Sequence, residues 1–124
     1  MIESYRDLKV YQISYDLALK VHKLTLTFPD FEKYELGSQT RRAAVSIPVN
    51  IAEGYGKKSS VADFKRYLQM AQGSKDEVKV LLELGKDLGY IQEKEFEGLF
   101  NSYDELGKQL YSYIRNGNNL ASGF

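Results

Sequence analysis

The chain has 124 residues, 43% of them hydrophobic and 27% charged, which suits one globular domain able to bury a core of its own. Seventeen Lys/Arg balance seventeen Asp/Glu, so no global basic excess marks a dedicated nucleic-acid binder. With no cysteine and one histidine, disulfide frameworks, thiol nucleophiles and Cys/His zinc boxes are excluded.

The sequence predicts four helices in one domain over residues 1–124. The first covers about 8–28. Val10, Ile13, Leu17, Val21, Leu24 and Phe28 recur at spacings of three and four. Tyr11, Tyr15, Ala18 and His22 form a second stripe beside them, too wide a face for one partner helix. Ser4 with Asp7 reads as a capping box for this helix, and Pro29 stops it.

The second helix covers about 38–55. From Ala43 to Ala52 its only polar residues are Ser46 and Asn50, the pattern of a helix central in a bundle or buried in an oligomer. Gly54 and Gly56 are expected to supply the left-handed residue at its end. The third helix, about 61–88, opens on a Ser60–Asp63 capping box, carries Phe64, Leu68, Ala71, Val78 and Leu82, and ends at Gly89. The fourth, about 93–115, repeats Phe96, Leu99, Tyr103, Leu106 and Leu110 at helical spacing. A tail over 116–124 is expected to fray. No segment alternates with period two. Four long amphipathic segments with short connections give an all-α, up-down-up-down antiparallel four-helix bundle.

No run of about 18 apolar residues is present, and no basic start with an apolar stretch marks a signal peptide. A cytoplasmic protein with no membrane contact is expected.

Motifs for chemistry are sparse. Gly54-Tyr55-Gly56-Lys57-Lys58-Ser59 has a superficial likeness to a phosphate loop, but it follows a helix and lacks the G-x-x-x-x-G-K-[ST] spacing. Leu19, not Glu, precedes His22 by three, so the Glu-x-x-His of di-iron bundles is absent. His22 reads as a packed or interfacial residue. Glu53 is the one carboxylate set among apolar residues; its expected role is an ion pair with Arg41 or Arg42, within the chain or across a subunit boundary. No catalytic residue, metal ligand or cofactor is assigned, and the chain reads as a non-enzyme.

Pro48 lacks the amide hydrogen that would reach the Ala44 carbonyl, a cost of about 3 kcal/mol inside a helix. Ser46 bonding back to the Arg42 carbonyl, and Asn50 donating to the freed carbonyl or to a neighbouring helix, would offset it. Two readings stay open and compatible: a kinked core helix, or a kink that shapes a subunit interface through Ser46, Pro48, Asn50, Glu53 and Gly54.

Charge is unevenly spread. Residues 1–68 carry 11 Lys/Arg against 8 Asp/Glu, and 69–124 carry 6 against 9. Arg41, Arg42, Lys57, Lys58, Lys65 and Arg66 face only Glu53 and Asp63 over residues 41–66. They form either a solvated face or a phosphate-contacting patch, with Tyr55 and Tyr67 placed to stack on bases.

Q-T-R-R-A-A-V-S-I-P-V-N-I-A-E-G-Y-G-K-K-S, residues 39–59, resembles the signature of the small four helix bundle protein family. That family includes proteins encoded in intervening sequences of bacterial 23S rRNA genes and is related to the accessory variability determinant of diversity-generating retroelements. Tyr5–Gln12, the linker F-P-D-F-E-K-Y-E-L-G-S-Q, Phe64–Val78 and Leu88–Ile91 continue the resemblance in register over residues 5 to about 115. Gly37 stands where Ser or Thr is common and is expected to cap the second helix.

The resemblance implies a ring-like homopentamer and no known enzymatic activity. For the retroelement relatives it implies binding to nucleic acid and to a reverse transcriptase. Those relatives are markedly basic, so a neutral chain sits nearer the intervening-sequence branch. The expectation is therefore a homo-oligomeric, noncatalytic accessory protein with RNA or DNA as partner, and a reverse transcriptase in a retroelement context. Its rival is a scaffold that recruits protein through exposed tyrosines or the acidic C-terminal half.

Overall fold

A computed structural model describes residues 2–116 as an all-helical protein; no strand occurs among the described residues. The tail expected to fray falls, from residue 117 on, outside the described residues.

The N-terminal capping box forms, but on a separate turn. Ser4 Oγ accepts the Arg6 amide at 3.2 Å, and the Asp7 carboxylate accepts the amides of Glu3 and Ser4 at 2.8 and 3.1 Å. Those two amides hold the Asp7 carboxyl below its ordinary pKa. The turn is a short 3-10 helix, Tyr5–Asp7, and extended Leu8 separates it from the first long helix, α1, Lys9–Thr25. α1 ends at Thr25, four residues before Pro29, and over its last turn the hydroxyls of Thr25 and Thr27 donate to the carbonyls of His22 and Leu24 at 3.0 and 2.7 Å. Pro29, with φ −53°, instead precedes a single helical turn, α2, Asp30–Lys33, that the sequence did not predict.

α3, Leu36–Gly56, begins two residues before the predicted start and runs through Pro48. Gly37 therefore lies inside its first turn rather than capping it. A Cβ there would stand 3.2 Å from the Glu32 carbonyl, so the missing side chain lets α2 fold against α3. α4, Val61–Asp87, opens on Ser60, whose hydroxyl accepts the Asp63 amide at 3.2 Å. Its end matches expectation: Gly89, at φ +85°, gives its amide to the Lys86 carbonyl while Tyr90 donates to Gly85. That pair of bonds is a Schellman closure. α5, Glu93–Arg115, has the predicted bounds.

Gly54 and Gly56 depart from expectation. Both keep helical geometry, and Gly89 is the sole left-handed glycine among the described residues. Gly54 is required for proximity: a Cβ would fall 2.8 Å from Tyr67 Cβ and 3.2 Å from the Phe64 ring. Around Gly56 there is open space.

α3 packs on α1 and α4, and α5 packs on α4 and α1. The four long helices share one core, in which Val10, Val21, Ile47, Ile51, Phe64, Leu68, Leu82, Leu106 and Leu110 are fully enclosed. Tyr103 is equally enclosed, and burial pushes its phenol far above the ordinary range.

Gly54→Ala forces the α3–α4 seam apart and is expected to lower stability by about 1–3 kcal/mol. Gly56→Ala meets no atom and is expected to be neutral or stabilising by up to about 1 kcal/mol. Urea unfolding of the two variants beside the parent checks the contrast; equal losses would contradict the close-packing role of Gly54.

Candidate interaction surfaces

Ser46, Asn50 and Gly54 follow one another at intervals of four on α3, which places them along one helical row. That row faces α4. Ser46 Oγ meets Ser74 Oγ at 2.8 Å, and Asn50 Nδ2 donates to both the Ser46 carbonyl and its hydroxyl, at 2.9 and 3.0 Å. The expected partners were different. Ser46 reaches across to α4 instead of back to Arg42, and Asn50 serves Ser46 rather than Ala44. Each polar group inside the seam thereby gains a partner that a purely local arrangement would not supply. Gly73-Ser74, inside α4, provides the matching hydroxyl.

With that row committed to α4, the other flank of α3 faces outward. Val45 and Val49 are 48% and 46% exposed, and across from them on α1 Tyr15 and Leu19 are 49% and 50% exposed. Between the two helices lies an open groove of about 530 Å³, floored by Pro48, Ala18 and Ala52 and reached at its ends by Tyr5 and His22. Its volume is that of a typical ligand cleft, yet its walls are almost wholly aliphatic and aromatic. The second stripe read on the first helix is the α1 wall of this groove: Tyr11 and Ala18 are half-buried, and Tyr15 and His22 are exposed. His22 is thus not packed in the core.

Glu53 is exposed on the groove's edge and, among the described residues, has no ion-pair partner. The intrachain pair with Arg41 or Arg42 does not form, because all three lie on the continuous helix α3, with Glu53 about 16–18 Å from the arginines along its axis. Arg41 donates to Thr25 Oγ1 and to the Lys33 carbonyl, each at 2.8 Å, and so ties α1, α2 and α3 together. Arg42 lies in the open, with a long 3.4 Å contact to Ser38.

The six basic residues fall into two groups. Arg42 and Lys57 are about 22 Å apart along α3 at 1.5 Å per residue. Lys57, Lys58, Lys65 and Arg66 gather at the α3–α4 turn with two tyrosines. The Arg66 guanidinium lies 4.8 Å from the centre of the Tyr67 ring, with Lys57 at 6.0 Å from the same ring. Lys58 Nζ stands 4.2 Å from the Tyr55 ring centre and donates to its hydroxyl at 2.9 Å. Arg66 has a weak, exposed pair with Asp63 at 3.7 Å. Lys57, Lys58 and Lys65 have no carboxylate within ion-pair range among the described residues.

A third surface was missed by the sequence reading. The outward flank of α4 exposes Val80, Leu84 and Leu88, at 63%, 45% and 49%, spaced by four residues. The four carboxylates of Asp76, Glu77, Glu83 and Asp87 are exposed around them. The signal was present as a four-residue apolar repeat out of phase with the core repeat Val78, Leu82, Gly85. No three His, Cys, Asp or Glu side chains gather as a metal site among the described residues, and no described helix is long and apolar enough to cross a membrane.

The model of the 23S rRNA-intervening sequence protein family matches residues 6–112. Among solved structures, the chain is similar to a protein of unknown function from the S23 ribosomal protein family of Bacteroides thetaiotaomicron. The two share 27% identity and superpose with a TM-score of 0.77, over 86% of this chain and 95% of that one. No curated protein matches.

The seam makes a graded prediction. Ser46→Ala removes the hydroxyl shared by Ser74 and Asn50 and is expected to cost about 1–2 kcal/mol; Ser74→Ala leaves Asn50 bonded to Ser46 and is expected to cost less. Denaturant midpoints order the two, and a reversed order would contradict Ser46 as the hub.

Proposed function

The chain belongs to the 23S rRNA-intervening sequence protein family, and we propose that it acts without catalysis, as a self-assembling accessory protein that holds RNA. The observation that carries the nucleic-acid half is the α3–α4 turn. Four cations and two tyrosine rings converge there, and three of the cations lack a carboxylate partner among the described residues. Such a set binds phosphate through its charge and bases through ring stacking. Lys57, Lys58, Lys65 and Arg66 are the contacts in this reading. Arg42 stands apart, in a cleft it shares with Glu35 and Glu77, and Arg41 keeps a structural role.

The self-assembly half rests on the α1–α3 groove. An apolar cleft ringed by polar residues, on a helix whose opposite flank is already packed, is what a protein interface leaves exposed in one subunit. In this reading the chain is one domain, its four long helices run up-down-up-down, and its copies close into a ring, a pentamer by family resemblance, in the cytoplasm. Repetition around a ring would multiply the basic turn without altering the net charge per chain. Pro48, at the floor of the groove, shapes the contact.

Fluorescence anisotropy against a labelled structured RNA tests the nucleic-acid half. Binding is expected to weaken steeply with salt. The Lys57/Lys58/Lys65/Arg66→Ala variant is expected to bind far less, with the slope of log K against log salt reduced by about 3. Equal binding by parent and variant would remove the basic turn as the contact. An absence of binding at low salt would instead favour a protein-only scaffold, for which the groove is the relevant surface.

A further inference from the structure

We propose that the occupant of the α1–α3 groove is the outward stripe of α4 from a second copy of the chain, so that copies join head to tail. The proposal rests on the self-assembly reading above and specifies its geometry.

Shape supports it first. The groove is concave, bounded by two helices, and runs from Tyr11 to His22 on α1, about 16 Å at 1.5 Å per residue. A second groove cannot fill it, whereas a helix can. On α4, Asp76 to Leu88 covers about 18 Å by the same measure. Val80, Leu84 and Leu88, at i, i+4 and i+8, are the anchors that a helix presents when it lies in a groove.

Charge supports it independently. Asp76, Glu77, Glu83 and Asp87 surround the α4 anchors, and no lysine lies on that outward flank. Lys79 is turned sideways to Asp104 on α5, and Lys75 and Lys86 stand at the edge, on Asp76 at 2.6 Å and Asp87 at 3.7 Å. The groove's His22 end carries Arg41 and Arg42 beside Val45 and Val49. Joined groove to groove in parallel, two copies would oppose their Arg42 side chains, and joined antiparallel they would bring Arg42 to Glu53 across walls that cannot fill one another; joining groove to α4 sets Arg42 against the α4 carboxylates and fills the cleft. Complementary charge of this kind fixes register more than it adds affinity. The two patches differ and lie on different helices, so the contact is heterologous. Contacts of that class make closed rings when the rotation per step closes.

Complementation tests the proposal. Val49→Arg blocks the groove and Leu84→Arg blocks the stripe; both positions are about half exposed, and circular dichroism verifies that each variant keeps its helix content. By light scattering after size exclusion, the parent is expected as an oligomer and each variant alone near the 14.2 kDa monomer mass. An equimolar mixture keeps one intact groove and one intact stripe and is expected to form a one-to-one heterodimer, at twice that mass. A Leu84→Arg variant that still assembles like the parent would overturn the α4 assignment while leaving self-assembly standing. Two monomeric variants whose mixture stays monomeric would also overturn it. A parent that runs as a monomer would overturn the self-assembly reading and this proposal with it.

Discussion

The seam between α3 and α4 governs the other surfaces. Along it, α3 presents Ser46, Asn50 and Gly54, small or hydrogen-bonding residues that let the backbones approach until a single methyl at Gly54 would collide with Tyr67. Polar groups in such a contact must satisfy one another, and here they do so across the interface, through Ser74. Because this row is fixed against α4, the rotation of α3 about its axis is fixed too. Ile47 and Ile51 are then driven into the core, and Val45, Pro48 and Val49 are turned toward α1 and solvent. The groove is thus a consequence of the seam.

Proline takes on a specific meaning in that setting. Pro48 removes one helical hydrogen bond, yet α3 continues to Gly56. Its ring lies buried on the groove floor, on the flank opposite Ser46 and Asn50, where Asn50 Nδ2 donates to the Ser46 carbonyl. The sequence made the hydrogen-bond deficit legible, but not where the polar side chains around it turn. The partner of Ser46 lies 28 residues away on another helix, and helical periodicity carries no information about which side chains will face each other across a seam.

The same division runs through the rest of the chain. The bounds of α5 and the Gly89 closure could be read directly, because strong local signals set them. The start of α1 could not: the Ser4–Asp7 box is a true local signal, but it closes a 3-10 turn that Leu8 ends. Gly54 and Gly56 look alike in sequence and differ in cause, one held by a neighbour and one free, which only packing distinguishes. The basic run over residues 41–66 likewise divides once α3 is given its length. Arg41 becomes a tether, and four cations collect with two tyrosines at the far end. Of the nine carboxylates in residues 69–124, four edge an apolar stripe on α4, a surface whose exposure depends on which flank of α4 the core takes.

The account makes the α1–α3 groove a covered surface in the working protein. Hydroxyl-radical footprinting of the intact chain, read by mass spectrometry across a dilution series, tests this most directly. Labelling of Tyr15, Leu19, Val45 and Val49 is expected to be low at high concentration and to rise together on dilution, while exposed Tyr34, at 81% exposure, stays constant as a reference. Labelling of the four groove residues that is high and independent of concentration would show the groove open at all times and contradict the account.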